Sequence, residues 1–426
     1  MVYMDKWIAV ILAAGDGVRM KSKLPKVMHK LCDVPILSYV ISAVKKVGIK
    51  RIVLVVGKNG DAIKDMLNDP EIEYVFQYEK KGTGHAIMQV KSALNDFVGN
   101  MLVLCGDAPL IKSETIKAII DTHEKEQLSA TCLSALLKDP TGYGRIARNA
   151  NGKIQKIVEE KDASLFEKSV EEVNSGSYCF NAQALFSLID KIEPNNAQKE
   201  YYLTDIIGLM NSKKLLIESY VTEDSQEIIG INSRRDLAYA QKCLQKRIID
   251  YHMDNGVTVS DPQSTFISGS TTIGRDTVIE PCTVIDGTVV IGENCSVGPF
   301  THLRSGTVLE DGAEIGNFTE VKNSKVGKHS KAKHLSYIGD AIIGEKVNIG
   351  ASTITANYDG KKKHQTVIDD NASTGSHSTL VAPVKIGKGA VIGAGSVVTK
   401  NHDVPPGEVV TGIPAKICEK RKNNDE

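Results

Sequence analysis

From Ile267 to Val321 an aliphatic residue stands at every sixth position: Ile267, Ile273, Ile279, Ile285, Ile291, Val297, Leu303, Leu309, Ile315 and Val321. A helix repeats at 3.6 residues and a half-buried strand at two, so neither produces this pattern. Period six predicts a hexapeptide parallel β-helix, with three short strands per coil and small aliphatic side chains stacked down a narrow core. The residue after the aliphatic one is often glycine or acidic (Gly274, Glu280, Asp286, Gly292, Gly298, Glu310, Gly316), which places a tight corner there. Composition agrees: of 22 aromatic residues only five lie beyond Gly256, whereas 21 of the 36 glycines lie from Gly256 onward. The register slips after Val321 and resumes at Ile368, Leu380, Ile386, Ile392 and Val398. Between them the polar, turn-forming stretch Asn357–His364 reads as a loop thrown out of the coil. Val404-Pro405-Pro406-Gly407 reads as the stop, and the charged segment from Lys420 as a loose tail.

The first half has a different grammar. Short apolar runs (Trp7–Ala14, Ile52–Val56, Met101–Cys105, Ala130–Leu136) alternate with amphipathic stretches such as Ile36–Val47, which predicts an α/β domain around a mostly parallel sheet. The spacing of Leu237, Ala240, Leu244, Ile248 and Tyr251 predicts a linking helix. The expected organisation is 1–231, a helix over 232–255, and the β-helix over 256–426.

With 52 basic and 52 acidic side chains, the chain of 426 residues has no net charge to draw it to nucleic acid or an anionic membrane. The Trp7–Ala14 run is too short to cross a bilayer and lacks the flanks of a signal peptide, so a cytoplasmic protein is expected. Eight cysteines without a CxxC pair indicate buried thiols rather than zinc or disulfides.

Strand Ile8–Leu12 runs into Ala13-Ala14-Gly15-Asp16-Gly17-Val18-Arg19-Met20, a glycine turn suited to bringing backbone N–H groups and a guanidinium to a phosphate chain. The spacing fits neither GxGxxG nor GxxxxGK[ST]. Together with Leu24-Pro25-Lys26, Gln77, Gly82-Thr83-Gly84-His85, Gly106-Asp107, Gly142-Tyr143-Gly144-Arg145, Glu159, Asn174, Glu200-Tyr201-Tyr202 and Asn232, it resembles the sugar-nucleotide pyrophosphorylases. Joined to a β-helix carrying His334-Leu335-Ser336-Tyr337 and Asn357-Tyr358-Asp359-Gly360, the set closely resembles the bifunctional bacterial glucosamine-1-phosphate N-acetyltransferases and N-acetylglucosamine-1-phosphate uridylyltransferases. The resemblance implies a Rossmann-like nucleotidyltransferase half and a left-handed parallel β-helix.

It further implies a UTP site in the first half, with Ala13, Ala14, Gly15, Gln77, Gly82 and Thr83 around uracil and Arg19 and Lys26 on the phosphates as catalytic groups. Mg²⁺ would be held by Asp107 and Asn232, a small donor set that suits an ion retaining water and phosphate ligands. N-acetylglucosamine 1-phosphate would meet Gly144, Glu159, Asn174 and Thr204. Cys105 stands where related enzymes often carry tyrosine. In the β-helix the resemblance makes His334 the general base for acetyl transfer from acetyl-CoA to glucosamine 1-phosphate, a task suited to an imidazole. Glu320 is the expected orienting carboxylate. Arg304 and Lys322 would grip the sugar phosphate, and Tyr337, Asn348, Asn357 and Tyr358 would surround the sugar and reacting carbonyl. Acetyl-CoA would lie along Ala351, Ser376 and Ala394, with Lys361–Lys363 as candidate phosphate contacts. A basic residue usual at the end of that site is replaced within Gly412–Lys416, where Lys416 is the candidate substitute. A homotrimer is expected. The competing readings are a single-activity pyrophosphorylase with a scaffold β-helix and a non-catalytic sugar-nucleotide sensor.

Overall fold

The computed structural model describes residues 4–94 and 96–418; the tail from Lys420 lies outside them. The chain divides into two compact units, one of residues up to Leu31 and Pro35–Cys243, the other of Cys32–Val34 and residues from Leu244. One helix, Arg234–Asp254, runs through the division.

The first unit is built on a mixed sheet. Its strands are β1 (Trp7–Ala13), β2 (Arg51–Val56), β3 (Ile72–Phe76), β4 (Asn100–Cys105), β5 (Ala130–Leu136), β6 (Arg145–Arg148), β7 (Ile154–Val158), β8 (Glu172–Asn181) and β9 (Ile217–Val221). The order is β9-β5-β8-β4-β1-β2-β3, parallel except for β8, which runs antiparallel to both neighbours; β6 and β7 form a hairpin beside it. Both faces are covered, which is why β1 reads as an unbroken apolar run. Ile8 and Val10 enter one core with Val53, Val55, Met101 and Val103; Trp7, Ala9 and Ile11 enter the other with Ile52, Leu54, Leu102 and Leu104. The parallel strands β1, β2 and β4 end on one edge, where ligands of such sheets bind.

The second unit is a three-sided parallel β-helix. Two- to four-residue strands form three sheets, beginning at Thr258–Val259, Phe266–Ile267 and Thr272–Ile273, and each strand as far as Thr379–Val381 pairs in parallel with the third after it. A coil is 18 residues: Val284 pairs with His302, and Val290 with Val308. The sixth-position residues are its core, with Ile279, Val297, Leu303 and Val321 fully buried. A second stripe escapes the aliphatic pattern. Two positions earlier stand small residues such as Thr277, Thr283, Thr301 and Thr307, also buried, whose hydroxyls donate to backbone carbonyls at 2.6–2.8 Å.

Two expectations need correction and one is refined. The register slips after Val321 as expected, while the coil itself does not lapse before Ile368. It continues through Val326, Ala332, Ile338, Ile343, Ile349 and Thr355, all buried, after losing one residue between Val321 and Val326 and another between Ile338 and Ile343. Pairing accordingly shortens to 17 residues (Glu314 with Lys331, Lys331 with Asn348) and lengthens to 25 across the loop (Asn348 with Ser373). Nor does the chain stop at Val404–Gly407: Val404 and Val410 are both inward, and Lys416–Ile417 folds back antiparallel on Val409–Thr411. The corners turn three residues after the inward aliphatic, where Asp276, Cys282, Asn294, Phe300 and Phe318 have φ of 52 to 59°. The glycines one residue after it answer another need. A Cβ on Gly316 would lie 2.1 Å from the carbonyl oxygen of Lys333 on the next coil.

Candidate functional site

In the first unit the glycine turn after β1 leads into a short 3₁₀ segment, Val18–Met20, with Gly17 at φ 61°. A Cβ at Gly17 would strike the Lys26 side chain, whereas one at Gly15 would meet nothing within 4 Å, so Gly15 borders open space. A cleft is lined by Ala13, Ala14, Gly15, Lys26, Gln77, Gly82, Thr83, Cys105, Asp107 and Glu200. Gln77 is locked there by bonds from Nε2 to the Gly82 carbonyl at 3.0 Å and to the His85 ring at 3.0 Å. Thr83 Oγ1 accepts the Leu203 N–H at 3.0 Å, tying the helix Thr83–Ala93 to the Tyr201–Leu203 segment. Arg19 lies exposed on the turn, outside the cleft lining.

Lys26, only 8% exposed, points its ammonium at Asp107 Oδ2 and, at 3.1 Å, at Asn232 Oδ1. A cation is thus already held by one carboxylate and one amide oxygen, the hard-oxygen pair that fits Mg²⁺. Among the described residues no three His, Cys, Asp or Glu side chains gather as a metal cage.

The expected acceptor residues form an adjoining wall. The Asn174 N–H donates to the Gly144 carbonyl at 2.8 Å, and Thr204 donates to Glu159 Oε1 at 3.0 Å. Burial raises the Glu159 pKa, partly offset by that bond. Asn174 Nδ2 donates to the Tyr178 hydroxyl at 2.8 Å, while its Oδ1 is buried and meets no donor. β8 shifts register between Asn174 and Tyr178, and Gly176 there packs against Cys105, joining this wall to the Asp107 side of the cleft. Burial pushes the Cys105 thiol up to about 12, so it is inert packing.

In the β-helix the expected residues fall into two groups and one outlier. Asn317, His334, Ala351, Ser376 and Ala394 occupy equivalent places on successive coils: Asn317 pairs with His334, and the ladder continues through Ser352 N–H to His334 O, His377 N–H to Ala351 O and Gly395 N–H to Ser376 O. The histidine and the small residues therefore share one corner. The second group lies on the neighbouring sheet. Arg304 donates to Glu320 at 2.8 Å, Glu320 pairs with Tyr337, and Asn357 Nδ2 meets Asp340 at 2.5 Å and the Tyr337 hydroxyl at 3.5 Å. The Glu320 carboxylate raises the Arg304 pKa, and the Lys363 ammonium, then Arg304, lower that of Lys322. Three cations converge here. Tyr358 is exposed, its hydroxyl donating to Gly360 O at 2.7 Å. Asn348 is the outlier, on the first sheet between Lys331 and Ser373.

Residues 8–256 match the nucleotidyl transferase family, 267–358 the GMPPB C-terminal domain and 365–400 the bacterial transferase hexapeptide repeats. The bifunctional protein GlmU of Halalkalibacterium halodurans is 46% identical over 435 residues, covering 94% of this chain and 95% of that one. The GlmU of Bacillus subtilis is 43% identical over the same shares. The chain belongs to the GlmU family.

Against the GlmU resemblance drawn from sequence, two placements differ. Glu320 is engaged by Arg304, and the partner of His334 is Asn317, with Nδ1 to Oδ1 at 3.1 Å. Lys363, expected among contacts to acetyl-CoA phosphates, instead joins Lys322 and Arg304. Only the register of the loop on the coil reveals that, and sequence spacing does not carry it. Gly412 is the next rung after Ala394, and Lys416 pairs with Thr411 beside it.

Proposed function

We propose that the protein makes UDP-N-acetylglucosamine in two steps at two sites: it acetylates glucosamine 1-phosphate from acetyl-CoA, then transfers uridylyl from UTP to the product with release of pyrophosphate. The observation that carries the two-site reading is the His334–Ala351–Ser376–Ala394 ladder, a base heading a line of small residues beside a three-cation cluster. A passive scaffold has no use for either.

At the first site the glycine turn and Gln77 seat the nucleotide, with Arg19 and Lys26 on its phosphates. The Glu159 carboxylate and Asn174 amide hold the acceptor sugar so that its phosphate oxygen faces the α-phosphorus in line. Asp107 and Asn232 would hold Mg²⁺, which would supply charge stabilisation to the transferring phosphate and the leaving pyrophosphate. At the second site Asn317 accepts from His334 Nδ1–H, leaving the Nε2 lone pair to take a proton from the glucosamine amine. The amine nitrogen bonds to the acetyl carbonyl carbon, the C–S bond breaks and the thiol departs. Arg304, Lys322 and Lys363 hold the sugar phosphate.

We place the protein in the cytoplasm as a homotrimer. Supporting assembly, Phe300 and Phe318 stack at 5.2 Å on the corner adjoining the His334 ladder, followed by Leu335, and all three are exposed. Asn348 and Tyr337 lie on different faces of one prism, so a second copy closing over the corner would complete the site.

The test supplies purified protein with glucosamine 1-phosphate and acetyl-CoA, with and without UTP, and follows thiol and pyrophosphate separately. Thiol appears without UTP, and pyrophosphate only with it. His334→Ala lowers thiol release roughly 10²–10⁴-fold and spares pyrophosphate release from supplied N-acetylglucosamine 1-phosphate. No thiol release by the wild type, or equal loss of both activities in the variant, defeats the two-site reading.

A further inference from the structure

Behind the acceptor wall lies an ion pair that touches no part of the cleft. The Arg145 side chain is 2% exposed, and its NH2 meets Glu160 Oε2 at 2.8 Å. Its NH1 donates to the Tyr143 carbonyl, and NH2 reaches the Lys168 carbonyl at 3.4 Å. The same Glu160 oxygen accepts the Gly142 N–H at 3.2 Å. One guanidinium and one carboxylate oxygen thereby tie together the Gly142–Gly144 turn, the end of the β6–β7 hairpin and the capped helix Leu165–Lys168.

We infer that Arg145 and Glu160 are a positioning pair that sets the gap between Gly144 and Glu159, and with it the fit of the acceptor sugar phosphate in uridylyl transfer. The inference rests on the uridylyl-transfer reading above. Adjacent carboxylates are sorted to opposite sides: Glu159 bonds Thr204, Glu160 bonds Arg145. The gap is about one methyl wide: a Cβ on Gly144 would stand in ordinary contact with Glu159 Oε2 at 3.6 Å and in tight contact with Ile157 Cγ2 at 3.3 Å, so displacement of either wall alters what fits. Stability alone is a poor account of the pair. Arg145 Nε is buried without a partner, and a desolvated guanidinium with an unpaired N–H is inferior to apolar packing of the same volume. What the guanidinium supplies is a rigid planar fork that fixes direction, which lysine cannot reproduce.

The experiment measures steady-state pyrophosphate release by the full chain, varying UTP and N-acetylglucosamine 1-phosphate in turn, for wild type, Arg145→Lys and Glu160→Gln. Arg145→Lys raises the KM for the acceptor about tenfold and Glu160→Gln about threefold, with the KM for UTP within about twofold of wild type and kcat changed less than the acceptor KM. An unchanged acceptor KM, or equal rises for both substrates, overturns the inference. Should Arg145→Lys fail to fold by thermal melting, Glu160→Gln decides, since Glu160 is partly exposed. A wild type that releases no pyrophosphate from these substrates refutes the uridylyl reading itself, a separate outcome from normal kinetics in the variants.

Discussion

His123 is 2% exposed, edge-on to Trp7 with ring centroids 5.6 Å apart; Nδ1 is paired to Thr131 Oγ1 at 2.9 Å, and Nε2 is buried with no partner. Burial lowers its pKa to about 4 from 6.5. Above pH 6.5 neither folded nor unfolded chain protonates this ring, so its contribution to stability is fully present. As pH falls from 6.5 through 4 the unfolded chain takes the proton first, and stability on the order of 3 kcal/mol is lost. Urea denaturation of wild type and His123→Gln across this window should show the wild type losing more stability; parallel curves would refute the assignment. At the candidate sites, residue identity was legible wherever a strand end announced it, as with Asp107 after β4 and the glycine turn after β1. The partner of His334 was not. A uniform 18-residue coil sets His334 above Gly316, and only the residue dropped between Val321 and Val326 sets it above Asn317.

Among elements, the β-helix was legible as long as its inward residues were aliphatic and evenly spaced. Reading failed over 322–367 for two physical reasons. Some inward places hold Ala332 or Thr355, which fill the core without announcing it, and the dropped residues break the period while the hydrogen-bonded ladders continue. The glycines after the inward aliphatics were also assigned the wrong task. Gly274, Gly292 and Gly316 sit in ordinary backbone conformations and lack only room, because successive coils stack backbone to backbone, whereas Gly298 has a left-handed φ of 106°. Gly316→Val is therefore expected to destabilise the β-helix by about 1–3 kcal/mol through forced separation of two coils beside His334. Calorimetry should show the β-helix transition moved to lower temperature. A transition at the wild-type temperature would mean that the coils yield without cost.

For the molecule, zero net charge and scarce aromatics are averages over two unlike cores: a sheet buried on both faces that accepts Trp7, Tyr178 and Phe180, and a prism that admits only small side chains. Each unit carries its own core and its own candidate site. Among the described residues no helix is long and apolar enough to cross a membrane. The exposed Phe300–Phe318–Leu335 ladder belongs to the second unit alone, so assembly should depend on that unit and nucleotide chemistry should not. A fragment ending at Cys243 retains Asn232 beside Lys26 and Asp107, together with every acceptor residue. It is expected to sediment as a monomer, to release pyrophosphate from UTP and N-acetylglucosamine 1-phosphate, and to release no thiol from acetyl-CoA, whereas the full chain is expected to sediment as a trimer and to do both. A trimeric fragment would move the assembly surface to the first unit. A monomeric, folded fragment without pyrophosphate release would mean that the uridylyl site requires residues beyond Cys243.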